Sequence, residues 1–430
     1  MNTKTLIMTI SALLFLPLVT TCSSSSDNEQ TEPNNEEIVL DDPTTLNLSD
    51  SQMQMVKSSN EFALKLMNIE SSRQQESSFV VSPLSIEFLL GMLSNGAQGT
   101  TQKEIIHALG FKDTDVTTMN DFYHHLLAAM PVIDPQVSLN IGNMVYANTA
   151  ERAELSDEYV KNIKAYYKAE VESTDFKKTE TLQQINNWCK NHTNGMIPIL
   201  IDEKEFNTEA ICYLLNCIFF KAPWSVSFNK DNTQKAAFTT ADGQQIMVDM
   251  MSVKTNVDFY VDDDFKAVSL PYANDNYRMA VILPDDKESK CVIDVLKLLT
   301  ANRWQKLISD LDNNSKEIEI YMPRFKSDTK IDLVSQLQQL GIKEAFSQNA
   351  NFSKMLKSSI VGTLVSKVMQ KAVIEVSEEG TKASGATSGE VVPVSINNPE
   401  CIFRANQPFA YVIYEKSTNV ILFLGQYCGE

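Results

Sequence analysis

The sequence predicts an α+β fold, and three observations carry that expectation. Segments with apolar residues at helical spacing alternate along the chain with short runs rich in β-branched and aromatic residues. The two kinds mix without the regular strand, helix, strand order of a doubly wound sheet. No internal repeat or midchain linker interrupts the 430 residues. Hydrophobic residues make up 43% and charged residues 21% of the chain, the proportions of a soluble globular protein. The formal net charge of −18 argues against nucleic acid or heparin-like polyanions as partners, because phosphate contacts need clustered Lys and Arg, and no cluster is found.

The elements follow in order. Ser49 and Gln52 have the spacing of a reciprocal helix cap, and Met55, Val56, Phe62, Ala63, Leu66 and Met67 keep a helical period, so folding is expected from residue 49 onward. Phe79, Val80 and Val81 read as a short strand. Pro83 suits the first position of a helix that continues through 86–93 as a buried element. Further helical patterns cover residues 101–109, 121–130, 156–167 and 181–192. Strand candidates are 144–147, 211–220, 265–270, 279–283, 318–321, 372–376, 411–414 and 421–425.

The N-terminus reads differently. Lys4 precedes an apolar stretch from Leu6 to Val19, then come Thr20, Thr21 and Cys22, the design of a secretory signal over residues 1–21. A small-residue pair before a Cys resembles the lipobox of bacterial lipoproteins, which makes Cys22 the candidate site of lipidation. Ordinary cleavage nearby and a retained apolar anchor are the competing readings. Residues 22–48 are mostly Ser, Asn, Glu, Asp, Thr and Pro with little to bury, and read as a disordered polar tether. The expected location is outside the inner membrane, held by lipid alone, on the periplasmic or external face of an outer membrane. Beyond this region no apolar run is long enough to cross a bilayer.

The other cysteines, at 189, 212, 217, 291, 401 and 428, form no CxxC pair and no zinc spacing. An even number in a secreted chain could form disulfides, but four sit in apolar surroundings, as expected of free core thiols. Cys212 and Cys217 are five apart on a predicted strand and should face opposite sides.

A hydrolase was tested against the sequence. The glycines of ASGATSGE flank the wrong position for a GxSxG nucleophile turn, and there is no HExxH, phosphate-cradling loop or GxGxxG. The four histidines are His107, His124, His125 and His192. The adjacent His124 and His125 diverge by about 100° on a helix and are expected at the surface, while His107 and His192 fall at predicted helix ends. No catalytic constellation, metal site or cofactor site emerges.

One segment is unusual. After a strand carrying Ala372, Ile374 and Val376 on one face, the chain beyond Gly380 turns to Thr, Ala, Ser and Gly. Composition alone would make it a flexible loop. Yet Thr381, Ala383, Gly385, Thr387, Gly389, Val391 and Pro393 form one alternate set without charge, while Lys382 and Glu390 fall in the other. Alternate side chains of a strand point to opposite faces, so this loop can enter a sheet with small residues inward and its charges in water.

Here EEGTKASGATS resembles the hinge of the serpins, FVVSPLSIEFLLGMLSNGAQGTT their second helix, and LLNCIFFKAPWSVSF the strand and Trp at the top of their main sheet. DFKKTETLQQINNWCKNHTNGMI and FRANQPFAYVIY are similar too, so the resemblance covers residue 49 to the C-terminus as one domain. It implies about nine helices around three β-sheets with an exposed reactive loop, here 378–398, and a chain that acts as a monomer without catalysis of its own. It further implies that a serine protease cleaves the loop and is trapped as an acyl-enzyme when the loop inserts as a new strand. Cysteine proteases are possible further targets through a thioester. The spacing usual in the family puts the cut between Val394 and Ser395, preceded by Val391, Val392 and Pro393. A β-branched residue there suits an elastase-like enzyme. The hinge comprises Glu378, Glu379, Gly380, Thr381, Ala383 and Gly385. Ser82, Ser85 and Asn216 match the polar cluster called the shutter, and Trp224 the Trp of the breach. Glu378 and Arg324 occupy positions that can pair at the loop's origin. Gln370 departs from the family, standing where many serpins have a shutter His; since Gln donates and accepts, tuning is expected, not loss. Non-inhibitory serpins, which bind or carry other molecules, often have bulky, charged or proline residues at the hinge, and this chain has Thr381, Ala383 and Gly385.

Overall fold

Ser49 is extended (φ −67°, ψ 162°). Its hydroxyl accepts the Gln52 amide while the Gln52 side chain accepts the Ser49 N–H, so the reciprocal cap starts α1, Asp50–Gln74. The structure is a computed structural model that describes residues 45–111, 115–285, 291–358, 364–381 and 401–429. Order reaches slightly further back than the cap: Leu46 is buried, and its N–H donates to Ser417 Oγ at 3.3 Å. Ser82 caps α2, Pro83–Gly96, with Pro83 in the first turn where its missing N–H costs nothing. Every residue of α2 is buried. The helix is predominantly apolar because it is packed on all sides, and the polar side chains it does carry are buried with it.

The helices continue as α3 (Gly99–Ala108), α4 (Val116–Ala129), α5 (Asp157–Tyr167) and α6 (Thr179–His192), close to the predicted spans. Three more were not singled out: α7 (Val292–Leu298), α8 (Ala301–Asp312) and α9 (Val334–Gln339). Nine α-helices are therefore present among the described residues.

The strands make two hydrogen-bonded networks. One has six strands in the order β10 (Phe325–Asp332), β11 (Met369–Ser377), β12 (Gly380–Thr381), β4 (Cys212–Pro223), β2 (Ser138–Asn148) and β3 (Glu170–Thr174). The other runs β1 (Phe79–Val81), β15 (Ile421–Tyr427), β14 (Phe409–Glu415), β8 (Tyr277–Pro284), β7 (Phe265–Tyr272), β6 (Gln245–Val261), β9 (Ser315–Pro323) and β13 (Ile402–Arg404), with β5 (Gln234–Thr239) also on β6. Two of the three expected sheets join here because β6 is long: residues 245–250 pair with β5, 250–258 with β9 and 258–261 with β7. The main core lies around α2, between β4 of the first network and β15 of the second. A smaller core lies under α6.

His124 and His125 correct the expectation of surface residues. Both are half-buried on α4, where burial pushes their pKa values down, and His124 packs edge-on to Tyr166.

Candidate functional site at the seam of the six-stranded sheet

The predicted hinge lies between β11 and β4. Along β11 the side chains of Gln370, Ala372, Ile374 and Val376 are buried, as period two requires. Glu378 and Glu379 then turn the chain, and β12 runs back antiparallel, with Val376 opposite Thr381 and Ser377 opposite Gly380. On its other side β12 pairs with β4, Gly380 opposite Pro223 and Thr381 opposite Ala222. Gly380 has φ +136°, and a Cβ there would meet Ala222 O at 2.1 Å, so only glycine fits. Thr381 is 1% exposed, and its hydroxyl shares a 2.7 Å hydrogen bond with Tyr272. Burial holds the Tyr272 phenol far above its ordinary pKa, so it stays a neutral partner.

Trp224 clamps this turn from three directions. Its Nε1 donates to Ser377 O at 2.9 Å, its backbone N–H donates to Glu379 O at 3.0 Å, and its ring stacks on Tyr272 with centroids 4.4 Å apart. Phe228 N–H donates to Glu378 O at 2.9 Å. The Glu378 carboxylate is buried; its Oε1 accepts from Thr233 Oγ1 at 2.8 Å and lies 3.7 Å from Arg324 Nη1. The pairing of Glu378 with Arg324 at the loop's origin is therefore present. Arg324 also donates to Asp249 at 2.9 Å, and that bond, with the charge of Glu378, raises its already high pKa. Glu379 faces outward to Lys230, whose pKa it raises.

Lower in the seam, the shutter residues form one hydrogen-bonded chain. Gln370 spans the backbone of Ser82: the Ser82 N–H donates to Oε1 at 3.1 Å, and Nε2 donates to Ser82 O at 2.8 Å. Ser82 Oγ donates to Leu422 O at 2.7 Å. Ser85 Oγ donates to Asn216 Oδ1, Asn216 Nδ2 to Asn143 Oδ1 at 2.6 Å, and Asn143 Nδ2 to Tyr167 O at 2.8 Å. The chain of bonds thus ties α2, β4, β2 and the end of α5 together, while Gln370 ties β11 to the cap of α2. Gln370 uses both ends of its amide, accepting at Oε1 and donating from Nε2.

Ala383, Gly385, Val391, Val392, Pro393, Val394 and Ser395 lie outside the described residues, as does Cys22. Sequence reasoning missed Asn143, Tyr272, Thr233, Asp249 and Lys230. Asn143 could have been noticed as an amide within the strand run IGNMVYA; the others meet the hinge only through tertiary packing. Among the described residues no group of three or more His, Cys, Asp or Glu could hold a metal, and no helix is long and apolar enough to cross a membrane. What the site offers is mechanical: a sheet seam whose upper end already holds one glycine and one threonine, above polar side chains that can exchange hydrogen-bond partners.

The comparisons with known proteins agree with this geometry. Residues 57–429 match the family described as serpin (serine protease inhibitor). Iripin-2 of Ixodes ricinus is 32% identical over 381 residues, covering 87% of this chain and 93% of that protein. Alpha-1-antichymotrypsin of Pongo abelii is 31% identical over 373 residues, covering 85% and 86%. Among solved structures, the thermophilic serpin tengpin in its native state superposes with a TM-score of 0.78 at 29% identity, covering 89% of this chain and 95% of tengpin. Thyroxine-binding globulin in complex with thyroxine gives 0.77 at 26% identity, covering 87% and 99%. The hinge between β11 and β4, the Trp224 clamp, the polar shutter and a family match along the whole folded region together establish that this chain belongs to the serpin family.

Proposed function

We propose that the protein inhibits serine proteases by suicide-substrate trapping, with the loop 378–398 as bait and Val394–Ser395 as the bond cut. The observation that carries this reading is the seating of Gly380 and Thr381 between β11 and β4, which gives an inserting strand its first two residues in register. The uncharged alternate set from Thr381 to Pro393 continues that register without placing a charge inside the sheet. The target enzymes are elastase-like, because a Val before the cut fills a shallow pocket and leaves the buried acid of a trypsin-like pocket without its cation. The chain itself performs no catalysis. It acts as a monomer, secreted and held at an outer membrane through lipid on Cys22.

The test mixes the unacylated chain with neutrophil or pancreatic elastase, followed by a denaturing gel and product masses. A complex that survives denaturation, together with a released peptide starting at Ser395, is expected. Cleavage after Val394 with no complex would instead make the chain a substrate and favour a non-inhibitory binding or carrier role, a role for which thyroxine-binding globulin, solved with thyroxine, is the structural precedent.

A further inference from the structure

Helix α6 lies over β2 and β4, and its buried face does more than cover them. Ile185, Trp188 and Cys189 of α6 share a small core with Leu215 and Cys217 of β4, and Val373 of β11 packs against the same core. The α6 layer therefore bridges the seam from β4 to β11. A strand entering between β4 and β11 has to part Val373 from that layer.

Two thiols meet inside it. Cys189 is fully buried and Cys217 is 2% exposed. Both side chains belong to the same small buried core, Cys189 from α6 and Cys217 from β4. A second measure places Cys217 beneath the same helix: a Cβ on Gly142, its partner across the β2–β4 ladder, would lie 3.0 Å from Cys217 Sγ and 2.8 Å from His192 Cδ2, one turn along α6 from Cys189. None of the six described cysteines is in a disulfide.

We propose that Cys189 and Cys217 are a disulfide-forming pair which, once oxidised, fastens α6 to β4 and holds the α6 layer down across the seam. Its effect on inhibition rests on the insertion reading above. The oxidant is a low-molecular-weight or protein disulfide of an oxidising compartment. One protein thiolate attacks the donor's S–S bond, giving a mixed disulfide and one donor thiolate. The second protein thiolate attacks the protein sulfur of that mixed disulfide and releases the other donor thiolate. Two protein thiols lose two electrons and one donor disulfide becomes two thiols. The contact with Cys189 and burial push the Cys217 thiol far up, so it is a poor nucleophile in the closed fold. The bond therefore forms during folding, before α6 closes, or when α6 lifts. With the bond in place the seam parts more slowly, hydrolysis of the acyl-enzyme overtakes insertion, and more inhibitor is consumed per protease trapped.

The test folds the unacylated chain in parallel with dithiothreitol and with glutathione disulfide. Peptide mapping is expected to find Cys189 linked to Cys217 only in the oxidised sample, with slower hydrogen exchange in α6. The ratio of cleaved inhibitor to trapped complex with elastase is expected to rise about tenfold, the change that accompanies a relative barrier shift of about 1.4 kcal/mol, raising the stoichiometry of inhibition, and to return on reduction. Cys189→Ala, or Cys217→Ala if the first variant folds poorly, should be indifferent to the oxidant. Recovery of both thiols free from the oxidised sample overturns the pairing, whatever the protease gel shows. A linked peptide with unchanged stoichiometry, where the reduced protein traps protease, overturns the restraint on the seam. If the reduced protein traps nothing, the insertion reading itself fails, and a linked peptide without slower exchange in α6 then overturns the fastening.

Discussion

Glu87 is a carboxyl group 1% exposed in the middle of α2, two residues from the shutter Ser85. Its partners are neutral: Ser59 Oγ lies 2.9 and 2.7 Å from its two oxygens, and Tyr123 donates to Oε2 at 3.2 Å. Burial outweighs these hydrogen bonds and raises its pKa from 4.5 to about 7. Between those two values the folded protein holds a proton that the unfolded chain has lost. The stabilisation is thus full below 4.5 and is lost as pH rises through about 7. A shift of this size corresponds to about 3 kcal/mol at most, of which about 2 to 3 kcal/mol is lost between pH 5 and pH 8. Glu87→Gln keeps the shape, can still bond Ser59 and Tyr123, and carries no charge at either pH. Its stability relative to the parent should therefore improve on going from pH 5 to pH 8, by roughly 3 °C in Tm for a domain of this size. Thermal unfolding at one fixed scan rate, at both pH values, measures it. An equal Tm difference between the two proteins at pH 5 and pH 8 would refute the claim that burial keeps Glu87 protonated.

Other substitutions address the seam. Thr381→Arg puts a guanidinium where 1% of the side chain is exposed and should stall insertion, turning complex on a denaturing gel into cleaved product; retained trapping would sink the insertion account. Glu378→Ala leaves Thr233 Oγ1 and Arg324 Nη1 without their partner, and a loss of about 1 to 3 kcal/mol in denaturant unfolding is expected, so an unchanged curve counts against the pairing. Gln370→Ala strips both the N–H and the C=O of Ser82 of a partner and should cost a similar amount, about 1 to 3 kcal/mol, whereas Gln370→His should retain most of it. Val394→Arg should move inhibition from elastase towards trypsin-like enzymes; undiminished elastase inhibition would mean the cut lies elsewhere.

Where the chain dictates structure locally, the sequence was legible. Ser49 with Gln52, and Pro83 at a first helical position, announce two helix starts through local groups, and the structure adds Ser82 as the cap of the second. The run 211–220 reads as a strand because nearly every side chain in it is apolar. β6 was not legible: its burial alternates irregularly over 17 residues because it serves β5, β9 and β7 in succession, and no single face is buried throughout. The same division holds at the site. Ser82, Ser85, Asn216, Trp224, Glu378 and Arg324 were found through segments that resemble the family, and the structure brings them together at the seam. Tyr272 and Thr233 lie in segments with no local sign of their role, and the hinge reaches them only because β7 and the segment after β4 fold back against it.

On the insertion reading, the make-up of the seam accounts for a sheet that is stable and still able to part. A fully buried apolar side chain contributes about 1.5 to 3 kcal/mol, which is lost when its neighbours separate. A buried hydrogen bond contributes only about 1 kcal/mol net, provided that its groups find new partners. Gln370, Ser82, Ser85, Asn216 and Asn143 place bonds of the second kind where β11, β4 and α2 meet. An incoming strand brings its own N–H and C=O groups and can satisfy what it displaces, so the low net value of each bond becomes a low cost of opening. Apolar contact across the seam lies on both faces: on the inner face Ala372, Ile374 and Val376 of β11 share the main core with Ile218, Phe220 and Ala222 of β4, and on the outer face Val373 packs against the core of Ile185 and Trp188 under α6. Resistance to parting therefore lies with these two apolar layers more than with the shutter. On the insertion reading, loosening either apolar layer should therefore change the rate of insertion more than removing a single shutter hydrogen bond does.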